Sequence, residues 1–105
     1  MGIKYSNNAK TTLSSGINDS VTSAAVASGA VFPALSGGDY FYATIETINY
    51  ATKEIVKVTA RSGNTLTIVR AQDNTSAAAF SSGDFIELRV TAAVLEDATE
   101  PTTGI

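Results

Sequence analysis

The side chains that could carry out chemistry in this sequence are carboxylates and hydroxyls, because the chain contains no cysteine and no histidine. Asp39, Asp84 and Glu87 lie near the predicted starts of strands and could form a carboxylate pair for acid–base catalysis. Asp39 and Asp84 each follow a glycine and precede an aromatic residue, which is also typical of a turn that leads into a strand. We favour the turn, since an acid–base pair needs a cleft and orienting partners that a small β-domain has little material to build.

Calcium binding and serine chemistry have little support in the spacing of the residues. Four residues offer oxygen ligands for calcium, although they match no helix-loop-helix calcium loop: Asp73, Asn74, Thr75 and Asp84. The serines at 14–15 and 81–82 precede glycines, but the chain has neither a histidine base nor a G-x-S-x-G elbow. We therefore predict that the protein is not an enzyme and that it holds no metal ion and no cofactor.

The charge distribution argues against a nucleic-acid partner. Seven Lys and Arg against ten Asp and Glu give a net charge of -3, and the basic residues are scattered among acidic ones. The alternative is an aromatic and cationic platform for single-stranded nucleic acid, built from Tyr40, Tyr42, Lys57, Arg70 and Arg89. Tyrosines that pack across strands beside solvated charges explain the same residues more simply in an acidic chain.

The chain shows no membrane or export segment that we would expect to recognise. Its first ten residues lack the apolar stretch of a signal peptide, and no apolar run reaches the roughly 18 residues of a membrane span. Met1-Gly2 followed by Ser6 fits a myristoylation pattern only loosely, because Lys4 and Tyr5 intervene and no second anchor is present. We expect a soluble protein that is not exported.

The elements that must position these groups are short strands. Apolar and polar residues alternate in several stretches, which predicts strands at residues 20–27, 40–48, 53–60, 65–70 and 85–91. Ser62-Gly63-Asn64 separates the third stretch from the fourth, so residues 53–70 are predicted to form a hairpin. Residues 31–35 are predicted to be a loop whose Phe32 and Leu35 reach the core, because Pro33 excludes a central strand.

We therefore predict an all-β fold, a small antiparallel β-barrel or sandwich of about five to six strands with an extended N-terminal arm. The 105 residues suit a single domain. The predicted organisation is an N-terminal arm at 1–19, a β-domain at 20–97 and a C-terminal tail at 98–105. The core is expected to contain Val56, Val58, Leu66, Ile68, Ile86 and Leu88.

Three stretches carry a family resemblance: YSNNAKTTLSSGI, FPALSGGDYFYATIE and EIVKVTARSGNTLTIVRAQDNTSAAAFSSGDFIELRVTAA. They resemble a small β-module of tailed-bacteriophage virion structural proteins, over nearly all of residues 4–93. Asn74 stands where this module commonly has glycine. Asparagine is the residue next most tolerant of a left-handed backbone, so we expect the turn to be kept.

The resemblance implies a structural role in the virion and no catalytic residues. Such modules occur at the start of tail-fibre and other tail-associated chains, and as short free-standing virion proteins. Only a short acidic tail follows the module here, so we expect a free-standing capsid decoration, or cement, protein that binds the major capsid protein on the outer surface. The alternative is a tail component such as a fibre-anchoring or baseplate-adaptor subunit that contacts tail or baseplate proteins.

The predicted assembly interface consists of apolar side chains that a solvated monomer has little reason to carry. Two stand in the polar N-terminal arm, and three form an outward aromatic row: Ile3, Tyr5, Tyr40, Tyr42 and Phe85. The alternative for the row is that the rings pack across adjacent strands. We expect a homo-oligomer, with a trimer as the favoured form, that is made in the host cytoplasm and located in the virion.

Overall fold

The computed structural model describes residues 2–3 and 9–89, which form an all-β domain, as the sequence predicts. Its strands are β1 (Gly2–Ile3), β2 (Lys10–Thr12), β3 (Ser23–Ala25), β4 (Asp39–Glu46), β5 (Lys53–Ser62), β6 (Thr65–Gln72) and β7 (Phe85–Glu87). A single 3-10 helical turn, Gly29–Val31, lies between β3 and β4. The predicted hairpin is present as β5 and β6.

The strands form one curled sheet in the order β2-β7-β4-β5-β6-β3, and all neighbours along this path are antiparallel. β1 lies outside this path and pairs in parallel with the first two residues of β4. Leu13 and Val26 form a bridge just beyond the two outermost strands. Around it, Ser14 donates to the carbonyl of Ala25 and Ala27 donates to that of Thr12, both at 2.9 Å. The sheet edges therefore meet at this point, and the fold is a partly closed barrel.

The core lies on the concave side of the sheet. Residues of the predicted core that alternate along β5, β6 and β7 are buried there: Val56, Val58, Leu66, Ile68 and Ile86. Leu88 is half-buried and packs against the same cluster. Phe32, from the loop after the 3-10 turn, stacks on Phe41 of β4 with 5.1 Å between ring centroids, and Leu35 packs at the edge of the core. The predicted role of that loop is confirmed.

Two irregularities interrupt the register between β5 and β6. One falls between Val58 and Ala60, and beyond it Ala60 is exposed although the simple alternation places it with Val56 and Val58. The other falls between Ile55 and Lys57, opposite Ala71, whose φ of 55° is left-handed. These bulges change which backbone groups and side chains face the core.

The turn between β5 and β6 is fixed by a contact with Gly29. Gly63 takes the positive φ, at 60°, while the side-chain oxygen of Asn64 accepts the Gly29 N–H at 2.8 Å. A Cβ on Gly29 would stand 2.1 Å from the carbonyl oxygen of Gly63, so no side chain fits there. Asn74, with φ 64°, keeps the left-handed turn that its substitution for glycine was expected to preserve.

The boundary predicted between an arm at 1–19 and the β-domain is wrong for residues 9–19. Ala9, Leu13 and Ile17 are buried in the core. Ile17 also exchanges two backbone hydrogen bonds of 2.9 Å with Phe80. These apolar residues are four apart in a polar stretch, so the strand alternation that marks the other elements is missing there. The side chains of residues 1–8, the C-terminal tail at 98–105 and the rest of residues 90–97 lie outside the described part of the chain.

Candidate functional site

The most concentrated polar site in the domain is an ion pair between Glu54 of β5 and Arg70 of β6. Arg70 Nε donates to Glu54 Oε2 at 2.9 Å and Arg70 Nη2 donates to Oε1 at 2.8 Å, so the contact is bidentate. The side chain of Glu54 is 0% exposed and that of Arg70 is 9% exposed. Such a pair is stable in a low-dielectric interior only if its other hydrogen-bonding positions are also filled.

Backbone groups fill those positions. Glu54 accepts two further bonds, from the N–H groups of Ala71 at 2.8 Å and Ala78 at 2.9 Å. Arg70 Nη1 donates to the carbonyls of Asn18 and Val21, and its Nη2 donates to that of Ala78. All five guanidinium N–H groups of Arg70 are therefore engaged. The pair ties the hairpin to the segment before β3 and to the loop before β7.

The surroundings of Glu54 keep it ionised. Burial raises the pKa of the Glu54 carboxyl, but the hydrogen bonds from Arg70, Ala71 and Ala78 and the charge of Arg70 outweigh it, so the pKa lies below its usual value. The guanidinium of Arg70 has a raised pKa, for which its hydrogen bond to Glu54 is the largest cause. At neutral pH the pair is charged, fully hydrogen-bonded and buried and has no free site for a substrate proton, so its role is to hold the fold together.

This ion pair was not predicted from the sequence, although the pattern contains a sign of it. Glu54 is in phase with the buried Val56 and Val58, and Arg70 is in phase with the buried Leu66 and Ile68. Opposite charges that stand at core positions of two strands of one hairpin predict a buried ion pair. Ala71 reaches the carboxylate because it lies at the register shift in a left-handed conformation, which alternation does not reveal.

Asp39 and Asp84 are turn residues, as the sequence interpretation favours. Asp84 Oδ2 accepts the Ser81 N–H at 2.8 Å, and the Asp84 N–H is bonded to the carbonyl of Ser81. Asp39 makes the equivalent pair of bonds with Ser36. The glycine before each aspartate has a positive φ, 90° at Gly38 and 94° at Gly83. Two short stretches with the same chemistry thus form turns of the same kind.

The structure does not bring the three candidate catalytic carboxylates together. β7 begins beside Glu46 at the end of β4, whereas Asp39 is the first residue of β4, so Asp39 and Asp84 lie at opposite ends of this strand pair. Glu87 accepts a hydrogen bond from Arg89 Nε at 2.6 Å, and Arg89 Nη2 is 2.7 Å from Glu46 Oε1. These groups form an ion-pair cluster on the convex face.

The calcium candidates are also dispersed. Thr75 accepts the Ile55 N–H and donates to the carbonyl of Gln72, while Asp84 accepts N–H groups of Ile48 and Ser81. Within residues 9–89 no three acidic side chains gather as a metal site, and no enclosed pocket is found there. The same residues contain no helix long and apolar enough to cross a membrane.

The residues of the alternative nucleic-acid platform do not share one open surface. Arg70 is held in the barrel interior and Arg89 is paired with two glutamates. Tyr42 is 7% exposed and packs with Ile55, and Tyr40 meets it edge-on with 5.7 Å between ring centroids. Lys57 places its ammonium 4.3 Å from the centre of the Tyr40 ring. The tyrosines thus pack against each other along β4 and against Ile55 and Lys57 of the neighbouring β5.

The predicted assembly residues differ in how far the structure leaves them available to a partner. Tyr42 is not an outward interface residue, because its ring is already covered within the chain. Phe85 is half-buried at the start of β7 and stacks on Tyr50, with 6.1 Å between ring centroids. The backbone of Ile3 pairs with Tyr40, and Tyr5 lies outside the described residues, so both stay predictions.

No model of a known protein family matches the chain, and no curated protein matches it significantly.

Proposed function

We propose that the protein is a non-enzymatic structural protein of a bacteriophage virion, and that it decorates the capsid. In this role it binds the outer shell and stabilises contacts between coat subunits. The observation that carries the proposal is the use of the potentially chemical side chains: Glu54, Arg70, Asp84, Glu87 and Arg89 all bond to other parts of the same domain. Together with the resemblance to phage virion modules, this supports a structural domain that acts by presenting a binding surface to other virion proteins.

The composition of that surface suits assembly. Charged residues make up only 16% of the chain. Alanine, threonine, serine and glycine lose little side-chain entropy when a partner covers them, so docking them costs less than docking lysine or glutamate. A domain whose polar network is internal also keeps its shape when it binds, which lowers the ordering cost of association.

Repetition would compensate for a weak individual contact. A decoration subunit that forms a trimer engages several coat proteins at once, and joined contacts bind with much higher avidity than each alone. The expected partner is therefore the major capsid protein, displayed in a symmetric array. A tail location requires only a small symmetric set of copies instead.

Counting the copies of the protein in purified virions tests the proposal. A decoration protein should be present in on the order of hundreds of copies, whereas a tail component should be present in about six to eighteen, as closed tail symmetry dictates. Quantitative mass spectrometry against the major capsid protein gives this ratio. A low ratio would move the protein to the tail, and its absence from purified particles would overturn both structural assignments.

A further inference from the structure

The convex side of the domain carries an exposed apolar cluster at the loop between β4 and β5. Ile48 is 58% exposed and Tyr50 is 67% exposed, the two largest values among the big hydrophobic side chains of the described chain. Tyr50 stacks on Phe85, and a Cβ added to Gly83 would lie 3.6 Å from Ile48 Cδ1, so Ile48 lies against the turn before β7. The loop between β4 and β5 and the turn before β7 bring Ile48, Tyr50 and Phe85 to the same end of the sheet, and we call these three residues the tip patch.

The loop beneath the tip patch is held rigidly. Thr47 Oγ1 accepts the N–H groups of Ala51 and Thr52, and the N–H of Tyr50 is bonded to the carbonyl of Thr47. Asp84 Oδ1 accepts the N–H of Ile48, which joins the loop to the turn before β7. Tyr50 has a φ of 61°, a conformation that is rare for a bulky residue. The surrounding bonds hold its ring outward in that conformation.

The charged side chains that border the tip patch and make no ion pair among the described residues are both positive. Lys10 places its ammonium 4.4 Å from the centre of the Phe85 ring. Lys53 is exposed and lies opposite Glu46 on the neighbouring strand. The carboxylate of Glu46 is paired with Arg89 and not with Lys53. Glu87 is likewise paired with Arg89, and Asp84 is buried. Two lysines without an ion pair among the described residues therefore border the patch, while the nearby carboxylates are engaged.

We propose that the tip patch is a docking site for a coat-protein segment that carries apolar side chains next to carboxylates. The tyrosine and isoleucine supply apolar area, since aromatic anchors on a rigid support contribute most to binding. Lys10 and Lys53 favour an acidic partner and disfavour a basic one. This assignment rests on the proposed decoration function, and it moves the interface from Tyr42, in the middle of β4, to the loop that follows β4.

The test is binding of the full-length protein to purified coat particles that lack it, measured by co-sedimentation. Tyr50→Asn removes the ring and places at position 50 a residue that accepts a positive φ, so its melting temperature should equal or exceed that of the wild type. We expect this variant to bind at least about tenfold more weakly. Lys53→Gln should bind several-fold more weakly and with a smaller dependence on salt.

Val69→Ser is the matched control. Val69 is 44% exposed on β6, away from the patch, and its replacement should leave binding unchanged. Normal binding by Tyr50→Asn would overturn the tip patch while the decoration function stands. Failure of the wild-type protein to bind any particle would overturn the decoration function itself. If instead Tyr50→Asn dissociates an oligomer of the free protein in sedimentation velocity, the occupant is a second copy and the coat assignment is wrong.

Discussion

Two ion-pair clusters of similar composition lie on opposite sides of the same sheet, and they differ in burial. Glu54 and Arg70 are 0% and 9% exposed, and backbone groups of β6 itself and of two other segments complete their hydrogen bonds. Arg89 is 33% exposed and contacts Glu46 and Glu87 on neighbouring strands of the convex face. Water can replace each partner in the second cluster but not in the first. Burial therefore makes it costly to remove one residue of Glu54–Arg70, the inner pair, whereas removing one residue from Arg89, Glu46 and Glu87, the outer cluster, should cost little.

The largest expected effect is that of Arg70→Met. The substitution leaves Glu54 buried without its cation, and breaking a buried pair in this way costs roughly 3 to 5 kcal/mol. In a domain of this size such a loss approaches the whole free energy of unfolding. Urea denaturation followed by circular dichroism measures it.

The matched control removes both charges at once. Glu54→Leu combined with Arg70→Met leaves no lone buried charge, so the double variant should be more stable than Arg70→Met alone. If the single variant unfolds at the wild-type urea concentration, the inner pair does not hold the fold together.

A core substitution on β6, the strand of Arg70, gives a scale for the stability that the inner pair contributes. Leu66 is fully buried, and Leu66→Ala should cost roughly 2 to 5 kcal/mol through lost apolar burial and the cavity that remains. The same denaturation experiment measures this cost, and Val69→Ala, at an exposed position of β6, is the control. Equal stability of the two variants would show that Leu66 does not face the core.

Lowering the pH should have the next largest effect on stability, through protonation of Glu54. Because the folded pKa of Glu54 lies below its usual value of 4.5, ionised Glu54 contributes stability that is fully present above that pH. This contribution is lost as the pH falls through the folded pKa. Thermal melts below about pH 4.5 should therefore show a steeper loss of stability in the wild type than in Glu54→Gln. Parallel pH profiles for the two proteins would contradict the assigned protonation state.

Arg89→Met should have the smallest effect. Surface ion pairs contribute about 0 to 1 kcal/mol after solvent screening, and the Arg89 side chain is one-third exposed. The difference in melting temperature from the wild type should shrink further at high salt. A loss as large as that of Arg70→Met would show that the outer cluster is as essential as the inner pair.

The sequence by itself was sufficient for the fold class, the hairpin of β5 and β6 and most of its core. These features depend on alternation and turn residues, which act over a few neighbouring positions: Val56, Val58, Leu66 and Ile68 alternate, and Gly63 supplies the turn. The two Gly-Asp turns were also predictable, because aspartate bonds locally to the backbone two or three residues away.

Only the tertiary structure decided which segments meet. Ile17 and Leu13 look like isolated apolar residues until Phe80 and Val26 pair with them. The bulge at Ala71 turns an N–H toward Glu54, and a loop eight residues beyond Arg70 completes the site through Ala78. Tyr42 is buried and Tyr50 exposed although both are tyrosines near one strand. These outcomes depend on contacts between residues far apart in sequence, whose geometry no local pattern encodes.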